Sequence, residues 1–177
     1  KREGKYISLR RVLKNVGKDV TRFIMLLRKN NEDIDFDLQK ITEESKDNPV
    51  FYVQYAYARI NSIFRLLKLN LNAKIKFDNK KFTLNQYEIE ILKKISEWPK
   101  CVELSSIKLE PHRIPFYLYE LVSLFHSYWN LGNDNKEFRF VSERGKLNSS
   151  RLVLLQALSI VIKNGMSILG VSTPSSM

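Results

Sequence analysis

The chain has 177 residues, 44% of them hydrophobic, and a formal net charge of +11 at pH 7. This length and composition suffice for a domain with a buried core and argue against a disordered chain. The excess of positive charge favours a polyanionic partner, such as nucleic acid or an anionic membrane surface. The single cysteine excludes an internal disulfide and a multi-cysteine zinc site, and it fits a reducing compartment.

The positive charge lies in blocks. Residues 1–29 hold ten Lys or Arg against two acids, and residues 59–81 hold seven against one. Residues 31–58 reverse this balance, with two basic residues against seven acids. No apolar segment of a signal peptide follows the basic start. We therefore expect a cytoplasmic protein without a membrane partner, whose two basic blocks contact a polyanion.

Two short helices are predicted in the first basic block. Ser8 suits the N-cap of the first, whose apolar residues recur on one face, and Gly17 ends it. A second helical face runs from Val20 to Leu27.

A long helix follows the acidic stretch. Pro49 suits its first turn, and its apolar pattern continues to about Leu69. The Asn-rich residues 70–82 alternate in polarity and are typical of either a loop or a small hairpin. Thr83 and Gln86 then have the spacing of a capping box, which predicts the start of another helix.

The last part of the chain predicts two further helices. One follows Pro111, and one begins at Ser149 or Ser150 and ends near Gly170. The last helix contains "LVLLQALSIVI", which is shorter than a membrane span and apolar on nearly all sides. We expect it to be the central helix of an all-α helical bundle.

The long helix carries more aromatic rings than one buried face needs. On a helical wheel Tyr57 lies on the apolar stripe, whereas Tyr52, Tyr55 and Arg59 gather on a separate stripe. Two tyrosines and a guanidinium suit stacking on unpaired bases and contact with phosphate. Spacing alone favours the other interpretation, in which the tyrosines pack under a neighbouring helix and Arg59 forms an ion pair.

Residue patterns for other chemistry are absent from the sequence. His112 and His126 are the only histidines, and with one cysteine elsewhere they cannot complete a zinc site. We expect both histidines to be structural and the chain to bind no metal. The serines lack a His and Asp partner set, so nucleophilic catalysis is not supported.

The stretch "DNPVFYVQYAYARINSIFR" resembles the signature helix of arginyl-tRNA synthetases, a class I family whose usual pattern is close to NPVYYVQYAHAR. Three more blocks resemble this family in the same order: "VGKDVTRFIMLLRKN" with "DFDL", "LEPHRIPFYLYELVSLFHSYWN" and "NGMSILGVSTPSSM". Together the blocks cover nearly the whole chain. The resemblance implies a C-terminal fragment with a DALR-type anticodon-binding domain.

The first residues, "KREGKYISL", are similar to the segment that follows the family's KMSK loop, which makes Lys1 the last lysine of that loop. The resemblance places the end of the catalytic region in residues 1–45 and the anticodon-binding bundle in residues 46–177. No HIGH-type motif or Gly-rich phosphate loop is present. We therefore expect ATP and Mg²⁺ to be used by the full-length enzyme, no cofactor in this fragment, and no activity of the fragment alone.

The resemblance also assigns residues to the tRNA. Tyr52, Tyr55 and Arg59 lie on the helix that meets the anticodon loop in the family, and Met177 and Phe140 lie near the same loop. The charge pattern, and not the resemblance, predicts contacts of the second basic block with the tRNA backbone, at Arg65, Lys68, Lys74 and Lys76.

Three departures from the family pattern are visible. Tyr57 replaces the usual histidine, the DALR segment reads DVTR from Asp19 to Arg22, and Ser175 and Ser176 precede Met177 in place of a charged pair. The expected function is binding of the anticodon region of tRNA(Arg) for ATP-dependent arginylation, with the chain's own catalytic domain as partner and a monomeric state. The alternative is a basic helical protein-interaction or general RNA-binding module without a ligase context.

Overall fold

The structure, a computed structural model, describes residues 8–29, 48–75, 83–141 and 149–177. These residues form six α-helices and one 3₁₀ turn, and the described ranges contain no strand, which confirms the predicted all-α fold. The elements are α1 (Leu9–Leu26), α2 (Pro49–Leu66), α3 (Gln86–Ser96), α4 (Trp98–Ile107), α5 (Arg113–Asp134), the 3₁₀ turn (Lys136–Phe138) and α6 (Ser149–Leu169).

Helix α1 joins the two predicted short helices across a kink. Ser8 caps its start by accepting a hydrogen bond from the backbone N–H of Arg11. Gly17 interrupts the helix with φ +80°, a conformation that costs glycine little because it has no Cβ. Beyond the kink, Val20 and Phe23 are buried in the common core, so this half of α1 packs onto the bundle.

Helix α2 begins as predicted and ends three residues early. Asn48 caps it, Pro49 occupies the first turn, and the last helical residue is Leu66 instead of Leu69. Tyr57 is 7% exposed, which confirms the core position that the helical wheel predicts. Residues 70–75 form turns and coil, and the rest of the doubtful stretch lies outside the described residues.

The predicted cap of α3 is wrong by two residues. Asn85, and not Thr83, is the N-cap, and it forms a capping box with Glu88 in place of Gln86. Asparagine is at least as good an N-cap as threonine, so the later position competes successfully. The sequence also does not predict α4, because Pro99 reads as a break although proline is tolerated in the first helical turn.

Helix α5 lies at the centre of the bundle. It packs against α2, α3, α4, α6 and the 3₁₀ turn, whereas α6 packs against α1, α2, α3 and α5. The prediction that the last helix is central therefore needs correction, since α6 leaves Ile160 and Ile168 more than half exposed. Gly165 of α6 allows a close approach to α5, because a Cβ there would lie 2.8 Å from the Leu118 side chain.

Helix α6 ends at Gly170, as predicted, in a Schellman motif. Gly170 has φ +67°, its N–H donates to Ser167, and the N–H of Val171 donates to Met166. The residues beyond it, 171–177, form a tail without regular secondary structure. By length and composition alone α6 could cross a membrane, but 56% of its most apolar 18 residues is buried within the bundle, as in the core helix of a soluble protein.

Candidate nucleic-acid interface

An open cavity of about 290 Å³ lies where α2, α5 and the tail meet. Tyr55 and Met177 stand at its rim, with 43% and 59% of their surfaces exposed. The lining residues come from all three elements: Tyr55, Ala58, Arg59, Ser62 and Arg65 of α2, Trp129 of α5, and Ser176 and Met177 of the tail. The fold thus brings together three of the residues that the resemblance assigns to the anticodon loop.

Arg59 is held between two aromatic rings. Its guanidinium carbon lies 4.2 Å from the centroid of the Tyr55 ring and 4.8 Å from that of Trp129, and its Nη2 donates to the Tyr55 hydroxyl at 3.1 Å. None of the ion pairs among the described residues includes Arg59. The site therefore contains a fixed positive charge that no described carboxylate neutralises, which suits an anionic or electron-rich ligand.

His126 of α5 fixes the other edge of Arg59. Its Nε2 lies 3.1 Å from the carbonyl oxygen of Tyr52, and its Nδ1 lies 3.0 Å from Nη1 of Arg59. Because a carbonyl only accepts and a guanidinium only donates, the imidazole is the neutral tautomer with its proton on Nε2. Burial lowers the pKa of His126 to about 4, and the charge of Arg59 contributes, against the opposing effect of the Tyr52 hydrogen bond. His126 therefore has the structural role that the sequence predicts, and that role is to hold Arg59 in position.

Tyr52 is less accessible than Tyr55. Its ring centroid lies 4.4 Å from that of His126 and 5.3 Å from that of Tyr119, and the side chain is only partly exposed. The two tyrosines of the aromatic stripe therefore differ, and stacking of Tyr55 on a base stays a prediction. Tyr52 packs under α5, while Tyr55 keeps a large exposed surface beside Arg59.

Phe140 lies behind the cavity and not in its lining. It is 6% exposed, and its ring contacts those of Phe125, Tyr128 and Trp129. It also borders a neighbouring cavity of about 380 Å³ that shares Trp129 with the first. Direct stacking of Phe140 on a base stays a prediction, and its observed contacts support the ring of Trp129.

Three of the basic residues assigned to the tRNA backbone lie in the described part of the chain, at or after the C-terminal end of α2. Arg65 lines the cavity and donates to the carbonyl of Ser175, while Lys68 and Lys74 are exposed beyond the end of α2. The loop that carries Lys74 is held by Gln156, whose amide donates to the carbonyls of Leu71 and Ala73. Lys76, the fourth backbone assignment, and Lys1, the predicted KMSK lysine, lie outside the described residues.

The described residues contain no group of three or more His, Cys, Asp or Glu side chains placed to hold a metal ion. His112 is buried, and its Nδ1 finds no hydrogen-bond partner among the described groups. Cys101 is partly buried, and burial raises the pKa of its thiol. Neither residue joins the cavity.

A family profile described as the DALR anticodon binding domain matches residues 53–177. The chain belongs to the DALR anticodon-binding domain family. The matched residues include the whole lining of the cavity, so the DALR domain contains the candidate site. The predicted resemblance is confirmed in this respect, and the alternative of a basic module unrelated to a synthetase is not favoured.

This DALR-domain chain is similar over its whole length to proteins named arginine–tRNA ligase. It is 52% identical over 177 residues to an arginine–tRNA ligase of Pelagibacter ubique and 45% identical over 183 residues to one of Bartonella bacilliformis. Each match covers 100% of this chain and 31% of the relative. The chain therefore spans about a third of the length of the curated relatives it matches.

Solved structures agree with the sequence relatives. The chain superimposes on a structure named as an arginyl-tRNA synthetase of Campylobacter jejuni with a TM-score of 0.79 and 26% identity, covering 100% of this chain and 37% of that chain. Arginyl-tRNA synthetase of Plasmodium falciparum gives a TM-score of 0.73 at 21% identity, over 93% of this chain and 27% of that chain, which supports the fold alone.

Proposed function

We propose that this chain is the anticodon-binding part of an arginine–tRNA ligase and that its ligand is the anticodon loop of tRNA(Arg). The cavity around Arg59 is the observation that supports this most strongly. It combines an exposed tyrosine ring, a flexible methionine and a fixed guanidinium in a space between two helices. An unpaired base can stack on such a ring, and only unpaired bases offer their faces and edges in this way.

Arg59 can recognise the base or its phosphate without moving. A guanidinium has five N–H donors, and the described residues accept hydrogen bonds from two of them, at His126 and Tyr55. The remaining donors are available to acceptor atoms of the ligand. Because Arg59 is already held by two rings, little side-chain entropy is lost when it binds.

Adenylate formation belongs to the part of the ligase that this chain does not match. The chain corresponds to about a third of its relatives, so we propose that ATP, Mg²⁺ and arginine bind to the remaining catalytic region, and that Lys1 is the last lysine of its KMSK loop. We place the whole enzyme in the cytoplasm as a monomer. On this proposal the full chain of 177 residues alone shows no arginine-dependent ATP–pyrophosphate exchange.

Titration of the full chain with tRNA distinguishes this proposal from general RNA binding. We expect a tRNA(Arg) transcript to bind more tightly than the same transcript with its anticodon loop replaced, at matched salt concentration. Equal affinity for both transcripts would contradict anticodon recognition. If both transcripts bound equally at low salt and neither bound at moderate salt, only non-specific electrostatic attraction would remain, and this result would also contradict anticodon recognition.

A further inference from the structure

The tail reaches the cavity through a series of side-chain contacts, the first of which come from α1. Arg22 donates from Nε to the carbonyl of Leu169, at the end of α6, over 2.9 Å. Asp19 accepts two hydrogen bonds from Ser172, one from its backbone N–H at 3.1 Å and a shorter one from its hydroxyl. These residues lie about 150 positions apart in sequence, so only the folded bundle brings them together.

Helix α2 supplies the next two contacts along the tail. Gln54 donates from Nε2 to the carbonyl of Ser172 at 3.0 Å, so Ser172 is held from both α1 and α2. Arg65 donates from Nη1 to the carbonyl of Ser175 at 2.7 Å. The two residues that follow Ser175 are the ones that line the cavity.

The tail depends on these side chains because it has little structure of its own. After Val171, whose N–H belongs to the Schellman motif, residues 172–177 make no backbone–backbone hydrogen bond to the described part of the chain. An exposed segment without such bonds samples many conformations, and ordering it costs conformational entropy at every residue. Met177 would then rarely occupy the cavity unless the tail were fixed upstream.

We propose that Asp19 and Arg22 are positioning residues for anticodon-loop binding, and that they act by holding the tail so that Met177 closes the cavity beside Tyr55 and Arg59. This inference rests on the proposed function. Neither Asp19 nor Arg22 lines the cavity, so their effect on RNA binding passes through the tail. Gly170 is part of the same device, because a Cβ there would lie 2.8 Å from Nε of Arg22.

The sign of the effect separates this proposal from simple electrostatics. Removal of an acidic side chain from a protein of net charge +11 should strengthen its attraction to RNA. We expect the opposite for Asp19→Ala, which should bind a tRNA(Arg) transcript at least about 5-fold more weakly than the wild type. This is the loss expected when one stacking contact with a base is removed. Glu103→Ala is the matched control, since Glu103 is exposed on α4, which contributes nothing to the cavity, and its removal changes the charge equally.

A double-mutant cycle in the full chain tests the route of the effect. Deletion of residues 173–177 should weaken tRNA binding about as much as Asp19→Ala, and Asp19→Ala in the deleted chain should have no further effect, because both changes remove the same contact. Hydrogen exchange of the Ser172 amide, measured without RNA, should be faster in Asp19→Ala than in the wild type or in Glu103→Ala.

Several outcomes would overturn the inference. Unchanged or stronger tRNA binding by Asp19→Ala would do so, as would an equal loss in the intact and the deleted chains, which would mean that Asp19 acts without the tail. Unchanged exchange of the Ser172 amide would show that Asp19 does not hold it. If Tyr55→Ala also left tRNA binding unchanged, the proposed function itself would fail, and this result distinguishes the two failures.

Discussion

Tyr55 and Tyr57 lie two residues apart on α2 and should respond to substitution in opposite ways. Tyr55 is 43% exposed beside Arg59, whereas Tyr57 is 7% exposed in the core. Tyr55→Ala removes the ring on which a base would stack, and we expect binding of tRNA(Arg) to weaken by about 1–3 kcal/mol. Its melting temperature should change less than that of a core variant, because 43% of the Tyr55 surface is already exposed in the free protein.

Tyr57→Ala should instead destabilise the fold. Truncation of a buried aromatic ring costs about 3–5 kcal/mol, which for a chain of this size lowers Tm by roughly 6–20 °C. The surviving folded protein should bind tRNA normally, because Tyr57 does not line the cavity. Tyr55→Phe is the matched control: it keeps the ring face and loses only the hydrogen bond from Nη2 of Arg59.

The assay is a fluorescence titration of each variant with tRNA(Arg), beside thermal unfolding followed by circular dichroism. An early melt of Tyr55→Ala combined with normal tRNA affinity of its folded fraction would refute the reasoning. The extra rings of α2 would then serve packing alone.

Three further predictions concern stability and salt dependence. The folded-state pKa of His126, about 4, lies below the unfolded value of about 6.5. The neutral imidazole therefore contributes roughly 3 kcal/mol to the free energy of unfolding above pH 6.5, and this contribution is lost as the pH falls towards 4. Urea unfolding across this pH range should show a smaller loss of stability in His126→Gln than in the wild type. Arg151→Met leaves the carboxylate of Glu88, which is 1% exposed, without its ion pair, and should cost about 3 kcal/mol in urea unfolding, less if Glu88→Gln is added. Lys68→Gln with Lys74→Gln should reduce the slope of log affinity against log salt by about 0.7–0.9 per lost phosphate contact, and an unchanged slope would exclude both from the tRNA contact.

Local sequence signals account for most of the fold. Pro49 and Gly170 mark helix ends because proline suits a first turn and glycine suits the left-handed conformation after a last turn. Gly17 breaks α1 for the same conformational reason. The core position of Tyr57 follows from helical periodicity alone.

The errors arise where several local solutions have similar energies or where a distant element decides. Asn85 and Thr83 are both acceptable N-caps, and nothing in the local pattern chooses between them. The prediction that the last helix is central is wrong, because an apolar composition does not reveal which helices cover which faces. Here α5 takes the centre, and Ile168 of α6 stays exposed.

The candidate site depends most on distant contacts. The wheel groups Tyr52 with Tyr55, but only the packing of α5 shows that the Tyr52 ring lies closer to His126 and also meets Tyr119, while Tyr55 stays 43% exposed. His126 and Trp129, which hold Arg59, lie about 70 residues away from it in sequence. Their spacing of three residues on one helix was the available signal, and it indicates a shared face without naming the partner.

The central claim, that an unpaired anticodon-loop base stacks beside Tyr55 and Arg59, can be tested with a fluorescent adenine analogue placed at each anticodon-loop position of tRNA(Arg) in turn. Stacking changes the fluorescence of such a base. We expect the wild-type chain to change the signal of at least one position, and Tyr55→Ala to abolish that change even at protein concentrations that saturate binding. Saturated binding with no change at any position, or with the same change in Tyr55→Ala, would contradict the account.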